Sequence, residues 1–264
     1  MKDTVTIVTA FVDIGRGNWV GTKNDRVIPP YIQRHTDTYL ERFEKLTKLN
    51  NPIICFTESK FFDKIKGMRD DIVLIDIDNI WDDHTHLTDA IKKVQSNPSF
   101  IQFVNNPAAP EYWSEKYVAI NLMKSHFCAY SVEHKLCATD TVAWIDFGYC
   151  REDVYCPEGK TWVYDTEDKI NLFCQNNNVN ERPIFDIIKT GEVYIQGCHI
   201  VSPARRWSTL KQLINDNLTH LFTVGLVDDD QTLLLMAYRV APELFKLESA
   251  NPSNWFTIFE GRCE

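Results

Sequence analysis

The sequence predicts a single Rossmann-like α/β domain with a mostly parallel central sheet flanked by helices. Three observations carry this expectation. Short runs rich in β-branched and aromatic residues (Val5–Val12, Ile53–Phe56, Asp71–Asp76, Thr141–Ile145) alternate with longer amphipathic segments. The chain has 264 residues, of which 44% are hydrophobic, enough for one large core, and no repeat, low-complexity tract or flexible linker divides it. Finally, the apolar run Thr141-Val-Ala-Trp-Ile145 stops at Asp146, with Gly148 two residues later. A carboxylate at the end of a buried strand is costly without a cation or hydrogen-bond donors. In open α/β sheets, that edge is where ligands bind. Asp146 is therefore a candidate for facing a metal and a phosphorylated donor; the plainer reading is a strand-ending Asp that caps a turn.

Charge narrows the function classes. The net charge is -9 with no Lys/Arg block, which argues against general nucleic-acid binding, since phosphate neutralisation supplies most of that affinity. A few basic groups plus a divalent ion can still hold a small anionic donor. Met1 to Thr4 leads straight into the first strand, too short to span a membrane, so a cytoplasmic protein without a transmembrane segment is expected. The eight cysteines include no CxxC pair, and Cys55, Cys128 and Cys198 sit in apolar runs. Reduced thiols are expected, a Cys150–Cys156 bridge being disfavoured.

After the first strand, Asp13-Ile-Gly-Arg-Gly-Asn-Trp19 forms a loop whose glycines let a ligand approach the backbone. It lacks the third glycine of a dinucleotide fingerprint. Arg16 could clamp a phosphate or stack on a base, or be a solvated turn residue. Pro29-Pro30 opens a helical segment over 31–49, with Tyr39, Phe43 and Leu46 on one face. Thr57 to Lys60 starts the helix after the second strand. Asp76-Ile-Asp78 ends the third and matches the Asp-x-Asp string of metal-binding enzymes. The polar residues that follow favour capping of a helix over 85–95, although Asp76 could still line a nucleotide pocket. Residues 98–110 read as a loop-rich connector and 111–133 as a helix carrying Lys124 on or beside its buried face. A lysine there needs an anionic partner, either a donor phosphate or a structural carboxylate.

In the second half, residues 151–168 read as loop, 169–174 and 193–201 as strands, and 182–189 as a short helix. Gly197 permits close approach, and His199 could be a metal ligand or a core histidine. Ser202-Pro203 reads as the start of a helix through Leu221 that carries Arg205 and Arg206. Asp228-Asp229-Asp230 precedes a helix over 232–244; clustered carboxylates there either cap it or raise one another's pKa, as a general base requires. Trp255–Phe259 reads as a final strand.

Thr-Ala-Phe-Val-Asp-Ile-Gly-Arg (9–16), the Lys124 helix, Ala-Trp-Ile-Asp-Phe-Gly (143–148), and Asp-Asp-Gln followed by Tyr-Arg-Val-Ala-Pro-Glu-Leu-Phe (238–245) together resemble the HtrL/YibB family. That family is similar to glycosyltransferases of the GT-A fold. The resemblance implies transfer of a sugar from a nucleotide-sugar, UDP-linked, to a glycan or glycolipid acceptor in surface polysaccharide or glycoconjugate synthesis. A glycolipid acceptor would bring peripheral membrane association. Residues 1–149 would be the donor half and 150–264 the acceptor half.

The donor site would comprise Thr9, Ala10, Phe11, Asp13, Arg16, Trp19, Lys60, Asp76, Lys124, Asp146, Phe147 and Gly148. Asp146 stands where GT-A enzymes place their metal-binding Asp-x-Asp, with Gly148 in place of the second Asp, so Mn²⁺ or Mg²⁺ would be held by Asp146 with His199. Asp229 or Asp230 would be the catalytic base, with Gly197, Arg205 and Arg206 at the acceptor or phosphate. The competing expectations are a nucleotidyltransferase and a non-catalytic nucleotide-sugar-binding or scaffold protein.

Overall fold

The computed structural model describes residues 2–250 and 255–264. From the N-terminus it contains β1 (Asp3–Phe11), a small hairpin of β2 (Thr22–Lys23) and β3 (Arg26–Val27), α1 (Thr36–Leu46), β4 (Ile53–Thr57), α2 (Phe62–Met68) and β5 (Val73–Asp76). There follow α3 (Ile80–Asp83), α4 (Thr85–Gln95), α5 (Pro98–Phe103), α6 (Glu115–Leu122), α7 (Lys124–Glu133) and β6 (Thr141–Ile145). The second half adds β7 (Val163–Tyr164), β8 (Ile170–Cys174), α8 (Ile184–Thr190), β9 (His199–Pro203), α9 (Trp207–Thr223), α10 (Asp230–Val240) and β10 (Phe245–Ser249).

The main sheet runs β10-β8-β9-β6-β1-β4-β5, with β7 added antiparallel to β1. β6, β1, β4 and β5 are parallel, so the expected βαβ order holds. β9 runs antiparallel to both β6 and β8, while β8 and β10 are parallel.

Strand alternation assigns each face. On β6, Val142 and Trp144 join the core under α4 to α10, whereas Ala143 and Ile145 join the one under α1 and the C-terminal segment. Asp146 continues the Trp144 parity, and the Trp144 indole N–H donates to its carboxylate at 2.8 Å. The strand thus delivers Asp146 toward α7.

Several boundaries differ from expectation. The 31–49 segment is helical only from Thr36, because a short 3-10 turn at Pro30–Ile32 precedes it. The 98–110 connector contains α5, opened by Asn97 accepting from the Ser99 N–H at 2.9 Å and by Pro98 in the first turn. The single helix over 111–133 is two helices that meet at Met123.

Ser202 and Pro203 do not cap a helix. They finish β9, whose register pairs Pro203 with Thr141, and α9 begins only at Trp207. Residues 242–244 form a 3-10 turn outside α10, and the edge strand is β10 rather than 255–259, where Trp255 is a bend and Ile258–Glu260 a turn. Cys150 and Cys156 are joined by a disulfide with their Cα atoms 6.0 Å apart; the 3-10 turn at Asp153–Tyr155 folds the loop back on itself. Cys55, Cys128, Cys137, Cys174, Cys198 and Cys263 are free thiols.

Candidate active site at the carboxyl edge of the sheet

The carboxyl ends of β1 and β6 and the amino end of β9 lie at one edge, since Ile145 pairs with His199. Asp13 to Trp19 follow β1, Asp146 to Arg151 follow β6, and Gly197-Cys198 lead into β9. The first turn of α10 reaches the same place. A cavity opens there, lined by Phe11, Asp13, Arg16, Lys124, Asp146, Gly197, Asp229 and Asp230, among others.

Lys124 is its centre. The residue is 5% exposed, and its Nζ lies 2.8 Å from Asp230 Oδ2, 3.1 Å from Asp146 Oδ1 and 2.9 Å from the Gly197 carbonyl. Burial lowers its pKa, but Asp146 and Asp230 outweigh that and raise it above the ordinary lysine value. One cation therefore joins a carboxylate from the first half of the chain to one from the second. Gly197 is required by this packing, because a Cβ there would overlap the Asp230 carboxylate.

The three aspartates differ in surroundings. Asp228 accepts from the Thr232 hydroxyl at 2.7 Å, and burial pushes it up to about 6. Asp230 is raised to about 6 by burial, with Lys124 opposing. Asp229 is the N-cap of α10, accepting from the Gln231 N–H. Burial, then Asp230, Asp228 and Glu111, hold it well above the ordinary carboxylate range. Asp229 also lines a second, adjoining cavity with Glu111, which burial raises to about 7. It is thus an acid without a cation of its own, placed where two cavities meet.

The sequence matches the HtrL/YibB family, described as a bacterial protein of unknown function, over residues 3–263. The chain belongs to the HtrL/YibB family. Protein HtrL of Escherichia coli (strain K12) is 32% identical over 273 residues, spanning 100% of this chain and 93% of that one. Among solved structures, apo mouse xyloside xylosyltransferase 1 is similar with a TM-score of 0.39 and 9% identity, over 93% of this chain and 84% of that one. That likeness is too distant to bear on chemistry.

In this HtrL/YibB protein, Ala10, Phe11, Asp13, Arg16, Lys124, Asp146, Phe147, Gly148, Gly197, Asp229 and Asp230 all line the first cavity. Trp19 stands one layer back, with the Arg16 guanidinium 5.2 Å from its ring. Arg16 also donates to the Tyr39 hydroxyl at 2.8 Å.

Other expected site residues lie elsewhere. Thr9 is fully buried within β1 and is outside the cavity lining. Lys60 pairs with Glu58 at 2.7 Å. Asp76 lines a separate cavity beside β5, and Asp78 accepts from the Ser59 N–H and hydroxyl, so it fixes the turn after β4 and not the helix at Thr85. Arg205 and Arg206 pair with Asp168. They are at the opposite edge of the sheet because β9 is antiparallel to β6.

His199 faces away from Asp146, between Tyr149 and Phe173. Burial lowers its pKa to about 3, and it lines another cavity. Among the described residues, no three His, Cys, Asp or Glu side chains are grouped to hold a metal ion. Asp146 already faces the Lys124 ammonium and Gly148 offers no ligand, so this donor set does not fit a divalent cation. The sequence reading passed over Tyr39, Glu111, Arg34, Arg42 and Arg151. Only Arg151, five residues past Asp146 in the same strand-end loop, carried a positional signal.

Proposed function

We propose that this protein is a glycosyltransferase that moves a sugar from a nucleotide-sugar, UDP-linked, to a glycan or glycolipid acceptor in the cytoplasm. The observation that carries the reading is Lys124 clamped between Asp146 and Asp230 in the cavity at the carboxyl edge of the parallel strands. The ordered sequence resemblance to the HtrL/YibB family, itself similar to GT-A glycosyltransferases, supports it.

The residues divide the chemistry. Asp229 takes the proton of the acceptor hydroxyl as that oxygen attacks the anomeric carbon. The anomeric C–O bond to phosphate breaks, and the nucleoside diphosphate leaves with the electron pair. Lys124 touches neither reacting atom directly; it positions Asp146 and Asp230 on the two walls. The aromatic floor, Phe11 with Phe147 at 4.8 Å and Tyr39 tilted beside it at 5.2 Å, gives an apolar surface for a sugar or base.

The test is a panel of nucleotide-sugars incubated with the protein, scoring free sugar and nucleoside diphosphate. Release of both, without pyrophosphate, is expected for at least one donor and is lost in Asp229→Asn. Pyrophosphate formation would indicate a nucleotidyltransferase instead. No turnover together with no nucleotide binding would leave a scaffold protein.

A further inference from the structure

We propose that Arg34, Arg42 and Arg151 form an anion subsite that holds the donor's diphosphate, in the role a divalent cation plays in GT-A enzymes. The inference rests on the nucleotide-sugar reading above and deepens it. Arg34 and Arg151 line the same cavity as Asp146. Arg42 projects from α1 behind the strand-end loop, its Cδ 3.7 Å from where a Gly148 Cβ would stand. The three arginines come from the segment before α1, from α1 itself and from the loop after β6.

Five of the other arginines, Arg69, Arg182, Arg205, Arg206 and Arg262, are ion-paired with carboxylates, and Arg16 and Arg239 are held by hydroxyl or carbonyl oxygens. Among the described residues, Arg34, Arg42 and Arg151 have no carboxylate partner. Nη1 of Arg42 is buried with no hydrogen-bond partner. A buried, unpaired guanidinium N–H is expensive and asks for an acceptor. The Arg151 guanidinium lies 4.1 Å from the Phe256 ring centroid, a contact that leaves its edge N–H groups free. Like charge accumulates as well: burial, then Arg34 and Arg42, lower the pKa of Arg151 to about 10. In a chain of net charge -9, two unpaired arginines lining this cavity and a third behind its strand-end loop are poised for an anion.

Polarity within the cavity favours the diphosphate over other assignments. Asp229 and Asp230 enter from the first turn of α10, whereas Arg42 and Arg151 lie by the loop after β6 that holds Gly148; Arg34 lines both this cavity and the adjoining one with Asp229. An anionic leaving group is repelled by the aspartates and attracted by the arginines. The uncharged acceptor hydroxyl is left on the acid side. A divalent cation would meet the Lys124 ammonium and the guanidiniums of Arg34 and Arg151, while Asp146, the carboxylate of the strand-end loop, is already paired with Lys124.

Calorimetric titration with pyrophosphate and with UDP, in EDTA, tests this on the whole protein. The wild type is expected to bind both, pyrophosphate more tightly than sulfate, with affinity changed less than about threefold when Mn²⁺ replaces EDTA. Arg42→Met and Arg151→Met are each expected to weaken binding about tenfold or more. The ligand-free variants are expected to melt no lower than wild type, because each relieves like-charge repulsion. Should either fail to fold, Arg151→Lys, which keeps the charge but loses the fork, is expected to weaken binding several-fold.

Binding of UDP only with Mn²⁺ overturns the arginine subsite and leaves the donor reading standing. Equal, weak binding of sulfate and pyrophosphate also overturns it. Pyrophosphate bound in EDTA and lost in the variants, with no nucleotide bound, upholds the subsite and removes the nucleotide-sugar reading.

Discussion

Lys124 occupies the first turn of α7, where the helix dipole disfavours a cation, and it is almost fully buried. Two carboxylates and a carbonyl offset both costs. Removing the ammonium would leave Asp230 buried and unpaired, so Lys124→Met is expected to cost about 3–5 kcal/mol of stability in urea unfolding. An unchanged midpoint would contradict the clamp.

Asp229 differs because it has no cation, and its raised pKa has a kinetic consequence. Transfer should be lost as pH falls and the base is protonated, with a midpoint above the ordinary carboxylate range, and Asp229→Asn should slow it by about a hundredfold or more. A flat pH–rate profile would remove Asp229 from that role.

His199 gives a separate acid signature. Folding holds it at about 3, while the unfolded residue titrates near the ordinary value of 6.5. Between those values the unfolded chain binds the extra proton, so the stability from His199 is present above about 6.5 and lost as pH falls toward 3. Asp228 and Asp230 act in the opposite sense: with folded values near 6 against an unfolded value of 3.8, they add stability as pH falls through that window. Comparing His199→Phe with wild type isolates the histidine contribution, and the variant should lose less stability on acidification.

At the scale of elements, the site depends on which strand ends meet. β6 and β1 deliver Asp146 and the Asp13–Trp19 loop because parallel neighbours share an edge; β9 contributes Gly197 because it is antiparallel and starts where they stop. Gly197→Ala pushes a methyl group into the Asp230 carboxylate, and overpacking of this kind costs about 1–3 kcal/mol. Urea unfolding of that variant should show the loss; wild-type stability would mean that α10 is free to shift.

The same topology explains what could be read from the sequence. β1, β4, β5 and β6 were legible because apolar runs bounded by turn residues mark buried strands, and Asp146 stood out as a charge at the end of one. β9 was blurred, since Ser202-Pro203 is good helix-start chemistry and only tertiary pairing with Thr141 and Val142 keeps it extended. Arg205 and Arg206 were then assigned to the wrong edge, a direct result of not knowing that β9 is antiparallel. The Met123 break carries no Gly or Pro, and the apolar Trp255–Phe259 run drew the final strand away from the more polar β10. Arg34 and Arg42 were invisible because their convergence with Arg151 depends on α1 packing beside the β6 loop.

Across the whole molecule, one sheet passes from the proposed donor half into the proposed acceptor half without a break. The cavity takes Arg16, Lys124 and Asp146 from the first and Gly197, Asp229 and Asp230 from the second. The Lys124 ammonium joins the two by bridging Asp146 and Asp230. Among the described residues, no helix is long and apolar enough to cross a membrane.

The central claim is that this edge of the sheet transfers sugar from a nucleotide-sugar. The most direct measurement is nucleoside diphosphate release from a panel of UDP-sugars by the wild type and by Asp229→Asn, in matched buffers. The account predicts release from at least one donor by the wild type and a loss of about a hundredfold or more in the folded variant. No release by the wild type from any donor, or equal release by both proteins, would contradict it.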